Sequence, residues 1–234
     1  MHLAHWISLQ YNRLLRIFCF LTAILLVAAF SIPTQAEQGS RDVYRKHENS
    51  EMKISLTFDD GPHPILTPKI LEILARYQIK ATFFLVGENV KNYPTVVEQI
   101  LAEGHEIGNH TFSHDHINAQ EIEDCEQAIY EITDYKTKLF RPPQGFIDET
   151  VKSMSHSLGY DIILWSIDTR DWDHTPPRQI CDLVIREITS GSIILMHDYI
   201  GHHSPTPQAL EQLIPAIIAL GYQFVPVSEL IGTN

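Results

Sequence analysis

Cysteine is scarce in this chain of 234 residues: there are three, and Cys19 sits in an apolar run near the N terminus. A disulfide-dense scaffold is thereby excluded, and Cys125 and Cys181 form one pair at most, with two separately buried thiols as the equal alternative. Basic residues are also few. Seventeen Lys and Arg face 29 Asp and Glu, a formal charge of −12, which argues against a nucleic-acid footprint and against long-range attraction to polyanions. The 11 glycines and 13 prolines follow no repeat, which excludes collagen-like and low-complexity chains, and 44% hydrophobic residues exclude wholesale disorder. No apolar run reaches the roughly 20 residues that cross a bilayer.

The longest apolar run, residues 17–30, has Arg13 and Arg16 before it, and Pro33 and a small-x-small triplet, Thr34-Gln35-Ala36, after it. This pattern predicts an export signal over 1–36, cut after Ala36, with an uncleaved membrane anchor as the alternative. Arg16-Ile17-Phe18 before Cys19 does not fit a lipid-attachment site. The expected location is periplasm, cell wall or extracellular space, with membrane contact only through the N-terminal segment. Residues 37–52 are polar and read as a linker, and 53–234 as one domain. Without the leader the chain carries 15 basic and 29 acidic residues, a net charge of −14.

From Lys53 onward, short runs rich in Ile, Val, Phe and Leu alternate with helix-period segments, as in repeated βα units around parallel strands. Strands are expected at 54–58, 81–86, 106–109, 139–141, 162–166, 192–196 and 223–227. Thr67-Pro68 and Pro94 open helices, and Gly104 follows the end of one. Asn118 with Glu121 resembles a capping box for a helix to about Tyr135. Further helices run from Asp148 to Gly159, from Pro176-Pro177 toward Gly191, and from Pro207 to Gly221. Seven strands with six intervening helical segments predict an α/β barrel of about seven parallel strands; a doubly wound open sheet is the alternative.

Polar residues able to bind metal or move protons follow the predicted strand ends: Asp59 and Asp60, His110 and His114, Arg141, Asp168 and Asp171, and His197. In a parallel barrel these ends share one face, where barrel enzymes keep their sites. Adjacent acids at a strand end point in different directions, so one can bind a metal while the other accepts a proton. His110 and His114, four residues apart, are expected on one helical turn with both imidazoles on one side. With Asp60 they make two imidazoles and a carboxylate, a set that leaves coordination positions open for water and substrate. Arg141 could then hold Asp59 ionised, and His197 could serve as general acid with Asp171 or Asp168 fixing its tautomer. Taken singly, each feature has a plainer reading: a solvated Asp-Asp-Gly-Pro turn, a surface histidine pair, a structural His197, core positions for Trp165 and Trp172, and the same ambiguity for Tyr199. Their convergence favours a site.

The order Thr57-Phe58-Asp59-Asp60-Gly61-Pro62, His110-Thr111-Phe112-Ser113-His114, Arg141-Pro142-Pro143-Gln144-Gly145, Asp168-Thr169-Arg170-Asp171-Trp172 and Leu195-Met196-His197 resembles the polysaccharide deacetylase family, the NodB-homology or carbohydrate esterase family 4 group. The resemblance covers roughly residues 53–230. It implies a distorted (β/α) barrel and metal-dependent removal of acetyl groups, foremost from N-acetylglucosamine-containing polysaccharide such as peptidoglycan or chitin oligomers. It further implies one divalent ion, zinc or else cobalt or nickel, on Asp60, His110 and His114. Asp59 corresponds to the catalytic base, Arg141 to the residue that orients it, and His197 with Asp171 to the general acid and its partner. Gln144, Trp172, Leu195 and Tyr199 are expected to meet the sugar. Gln144 stands where many members carry an aromatic residue; its backbone N–H can still serve an oxyanion, but a stacking platform is lost. Alternative readings are an O-acetyl esterase on acetylxylan and a catalytically silent carbohydrate-binding wall protein. A non-haem iron oxygenase shares the ligand types but has no use for Asp59, Arg141 and His197 around the metal.

Overall fold

The computed structural model describes residues 43–47, 51–199 and 203–233; the expected leader over 1–36 lies outside them. Among the described residues no helix is long and apolar enough to cross a membrane. Nine strands are present there: β1 Val43–Tyr44, β2 Lys53–Asp59, β3 Thr82–Leu85, β4 Glu106–Asn109, β5 Leu139–Phe140, β6 Asp161–Ile163, β7 Ile167–Asp168, β8 Ile193–His197 and β9 Gln223–Phe224. Every strand pairing is parallel, in the order β1-β6-β5-β4-β3-β2-β8-β7, with β9 against the start of β2. Strands β2, β3 and β8 are buried along almost their whole length, as parallel strands covered on both faces must be.

The helices are α1 Leu66–Arg76, α2 Gly87–Asn92, α3 Pro94–Ala102, α4 Ala119–Thr133, α5 Glu149–Ser157, α6 Pro177–Glu187, α7 Thr206–Ala219 and α8 Val227–Ile231. Their apolar stripes close over the sheet: Ile70, Leu71 and Leu74 from α1, Ile180 and Val184 from α6, and Leu210, Leu213, Ile214 and Ile217 from α7 join one core with Leu56 and Phe58 of β2. Side-chain caps fix two starts, Asn118 accepting from Glu121 N–H on α4 and Asp148 accepting from Val151 N–H on α5.

The sheet curls into a distorted barrel, and the chain itself shows how far. Strands β6 and β7 stand near opposite ends of the strand order, yet only residues 164–166 join them. Four Cα steps span about 15 Å at most, so the curl brings those ends together. The strand expected over 162–166 therefore stops at Ile163 as the end of β6, which pairs with β5 and β1, and residues 164–166 lead into a separate strand, β7, which pairs with β8. The stretch 37–52, expected as a linker, contributes β1, whose Val43 and Tyr44 pair with Ile162 and Ile163; Lys46 bridges Ser192. The strand expected over 223–227 stops at Phe224, because Pro226 and the helix α8 follow.

Candidate active site

All parallel strands end on one face, and there the polar residues named from the sequence meet. Asp59 closes β2 and Asp60 follows it in a left-handed conformation (φ 75°), and both carboxylates approach His110 Nε2, Asp59 Oδ2 to 3.8 Å and Asp60 Oδ1 to 3.3 Å. Arg141 follows β5 and is completely buried. Its Nη1 donates to Asp59 Oδ1 at 2.6 Å and to Thr57 Oγ1 at 2.9 Å, Nε donates to the Ile163 carbonyl at 3.1 Å, and Nη2 to the Leu164 carbonyl at 3.2 Å. The guanidinium carbon also stands 4.0 Å from the centre of the Phe84 ring. A buried cation is costly unless so satisfied. Here it holds Asp59 and also stitches β2 to the chain leaving β6.

His110 Nε2 and His114 Nε2 each lie 3.3 Å from Asp60 Oδ1. One ligand atom from each of these three residues falls within 4.8 Å of the others, the size of a single-ion site. His110 Nδ1 is 2.6 Å from the Arg141 carbonyl, which fixes Nδ1–H as donor and leaves the Nε2 lone pair toward Asp60. Burial works against the Asp60 carboxylate, but the His110 hydrogen bond and the surrounding imidazoles hold it below the ordinary range. Burial and the neighbouring His110 hold His114 in its neutral form. Two imidazoles and a carboxylate gathered within this span are a donor set that fits a divalent cation.

The two histidines do not ride on a helical turn. Residues 110–114 form a loop between β4 and α4 in which Thr111 and His114 both have φ of 66°. Thr111 N–H donates to Asn109 Oδ1 at 3.0 Å, and His114 N–H to Thr111 Oγ1 at 3.1 Å. Gly87 and Glu88 at the start of α2 donate their N–H groups to the carbonyls of Thr111 and Phe112. The imidazoles converge because the loop is tied down, with positive φ at two residues that have no glycine-like freedom.

Across the pocket His197 ends β8. Its Nδ1 lies 2.8 Å from Asp171 Oδ1, while its own N–H donates to Asp171 Oδ2 at 2.8 Å. Trp172 N–H donates to Asp171 Oδ1 at 3.0 Å and Thr206 Oγ1 to Oδ2 at 2.7 Å, so both carboxylate oxygens are engaged. Burial disfavours the imidazolium of His197, yet Asp171, Asp59 and Asp60 outweigh it and push its pKa up to about 9. Asp168, the other candidate partner, instead accepts from Arg170 N–H and Trp172 Nε1.

A pocket of about 400 Å³ lies between the two groups, with Asp59, Asp60, His110, His114 and His197 on its polar sides and Leu195, Trp165, Trp172 and Gln144 on the rest. Gln144 sits in a 3-10 turn, Pro143–Gly145, at φ 57°. Gly145, also at positive φ, lies so close to the Trp165 ring that a Cβ there would stand 2.7 Å from it. Trp172 is 48% exposed at the pocket mouth. Tyr199 stands outside the lining, edge-on to His63 with ring centres 5.0 Å apart.

Two contributors, Thr206 and Asp198, were not among the residues named from the sequence. Thr206 opens α7 beside two prolines and reads only as a helix start. Asp198, next to His197, is buried against the Gly61 backbone, accepts from Thr67 Oγ1 at 2.6 Å, and has its pKa pushed up to about 7 by burial. Its adjacency to His197 was the available hint.

A family model described as polysaccharide deacetylase matches residues 46–163. The chain is 40% identical over 191 residues to a peptidoglycan-N-acetylglucosamine deacetylase of Bacillus cereus, a match covering 78% of this chain and 90% of that protein. It is 35% identical to the peptidoglycan-N-acetylglucosamine deacetylase PgdA of Listeria monocytogenes over 77% of this chain, but only 39% of that longer protein. The fold superposes, with a TM-score of 0.79 and 34% identity, on a crystal structure of a peptidoglycan N-acetylglucosamine deacetylase in complex with 4-naphthalen-1-yl-N-oxidanyl-benzamide, covering 83% of this chain and 94% of that one.

Proposed function

The chain belongs to the polysaccharide deacetylase family, and from that premise we propose that it is a metal-dependent hydrolase removing N-acetyl groups from N-acetylglucosamine units of a cell-wall polysaccharide, with peptidoglycan as the first candidate. The observation that carries this reading is the pocket itself: a single-ion ligand triad with a carboxylate held by a buried arginine on one side and a carboxylate-backed histidine on the other. Asp60, His110 and His114 would hold the ion, and zinc suits two imidazoles and a carboxylate best. When bound, such an ion supplies Lewis-acid polarisation of the acetyl carbonyl and of a water.

The chain's own residues do the rest. Asp59, held and aimed by Arg141, takes the proton of the attacking water through Oδ2, the oxygen that Arg141 leaves unclaimed. The backbone N–H of Gln144 meets the oxyanion as the carbonyl becomes tetrahedral. His197, charged at neutral pH through Asp171, presents Nε2 to the departing nitrogen and protonates it, releasing the amine and acetate. Leu195 receives the acetyl methyl, and Trp172 offers its exposed face to the sugar ring. Tyr199, beside His63, serves a neighbouring sugar at the rim. The domain begins by β1, and the sequence pattern of 1–36 supports export to the compartment where such a polymer lies.

The test is acetate release by the purified chain, with added zinc or cobalt, from peptidoglycan, N-acetylglucosamine oligomers and acetylxylan in parallel. Metal-dependent release from the first or second, lost on chelation, supports the proposal. Release from acetylxylan alone would replace it with O-acetyl esterase activity, and no release despite bound metal would leave a carbohydrate-binding role.

A further inference from the structure

Asn118 and Glu121 have the spacing of a capping box, in which the acid would reach back to the cap residue's own N–H. Half of that box is present: Asn118 Oδ1 accepts from Glu121 N–H at 3.0 Å. The other half is redirected. Glu121 Oε2 accepts from Ser113 N–H at 2.8 Å and from Ser113 Oγ at 2.9 Å, eight residues back in the chain and one residue before His114. Ser113 Oγ in turn accepts from Asp115 N–H at 3.3 Å. His114 is the more exposed of the two histidines, with its side chain 34% accessible against 2% for His110. His110 is seated by the Arg141 carbonyl; among the described residues no backbone carbonyl makes a comparable contact to the His114 ring.

We infer that Glu121 is a positioning residue for the metal centre: through Ser113 it clamps the loop so that His114 Nε2 is delivered opposite Asp60. The inference rests on the reading of Asp60, His110 and His114 as metal ligands. Asn109 and α2 secure the front of the loop at Thr111 and Phe112, and Glu121 secures its back. Without that second tether, the two positive-φ residues relax toward ordinary backbone conformations and carry the imidazole away. A purely structural Glu121 would act through its charge at the start of α4, and would change helix stability without selectively changing metal binding.

The experiment measures the zinc dissociation constant of the full chain by competition with a chromophoric chelator, alongside the thermal midpoint of the metal-free protein. The Co2+-substituted visible spectrum is recorded as a second readout. Glu121→Ala is expected to weaken zinc by about 10- to 100-fold, as loss of a residue orienting a ligand does, and to alter the cobalt spectrum. Glu121→Gln, whose amide oxygen still accepts from Ser113, is expected to stay within about threefold of the parent, a small part of that range. Exposed Glu123, on the same helix, serves as a control in Glu123→Ala. Parent-like zinc affinity in Glu121→Ala, or a loss in Glu121→Gln equal to that in Glu121→Ala, would overturn the inference. Should Glu121→Ala not fold, Glu121→Asp decides, since it keeps the charge at the start of α4 but is one methylene too short for the Ser113 contacts, an unchanged zinc affinity there being the overturning result. Because metal binding is read directly, a failure to release acetate tests the proposed reaction and leaves this result standing.

Discussion

His105 and His110 bracket the same four-residue strand, β4, and both are buried, yet the protein sends them in opposite directions. At the amino end of the strand, burial and the charge of Lys80 push His105 down to about 4. Ala81 N–H donates to its Nδ1 at 3.2 Å, so the ring must be neutral to accept, and its edge meets Phe83. At the carboxyl end, burial also opposes charge on His110, but Asp59, Asp60 and the Arg141 carbonyl overcome it and raise its pKa. Burial is common to both, so it does not make a histidine functional. What was buried beside it does: backbone N–H and lysine at one end, carboxylates at the other. Carboxylates that favour a proton on His110 equally favour a cation between them.

The contrast can be broken most severely at Asp59. Asp59→Asn keeps the shape and the Arg141 contact but removes the base, and is expected to lower kcat by about 100- to 10,000-fold with zinc still bound, as measured by acetate release and metal content. Parent-like turnover would remove Asp59 from its proposed role.

At the other end, the His105 shift predicts a stability effect with no catalytic counterpart. Its folded pKa lies below the unfolded value, so its contribution is complete above about 6.5 and is lost as pH falls through about 4, amounting to about 3 kcal/mol. Denaturant unfolding of the parent and of His105→Phe across this range should diverge in slope; parallel curves would contradict the assignment.

Asp171→Asn sharpens the comparison on the acid side. In its proposed role His197 works protonated, so activity should be lost as pH rises through its pKa; without the Asp171 carboxylate that loss should move at least about one pH unit lower in kcat/KM. An unmoved basic limb would assign it to another group. The smallest effect is expected from Asn118→Ala, which removes the cap of α4 and should cost about 1 kcal/mol in unfolding free energy, with little change in kcat.

The site was more legible in the sequence than the fold's closure. Apolar runs bounded by Gly and Pro marked β2, β3, β4 and β8 to within a residue or two, and the acids, histidines and arginine just beyond them were bound to share a face once the strands were parallel. Val43-Tyr44 escaped notice because a two-residue edge strand in a polar stretch has no periodicity to detect. The break between β6 and β7 escaped because Leu164-Trp165-Ser166 is as apolar as a strand, and only tertiary pairing divides it. The helical turn expected for His110 and His114 failed for another reason. A spacing of four fits a helix, but it equally fits a loop whose turns are set by Asn109, Thr111 and contacts from distant residues, which no local pattern records.

The register of β2 on β8 sets Asp59 directly beside His197, 138 positions along the chain. The proposed base and acid thus enter the same pocket only when the last third of the polypeptide has joined the first. Pairings so remote are slow to form, since loop closure must precede them. A ribosome that has delivered everything up to the end of α6 has made Asp59, Asp60, His110, His114 and Arg141, but not His197. The pocket is complete only once the final strands are in place.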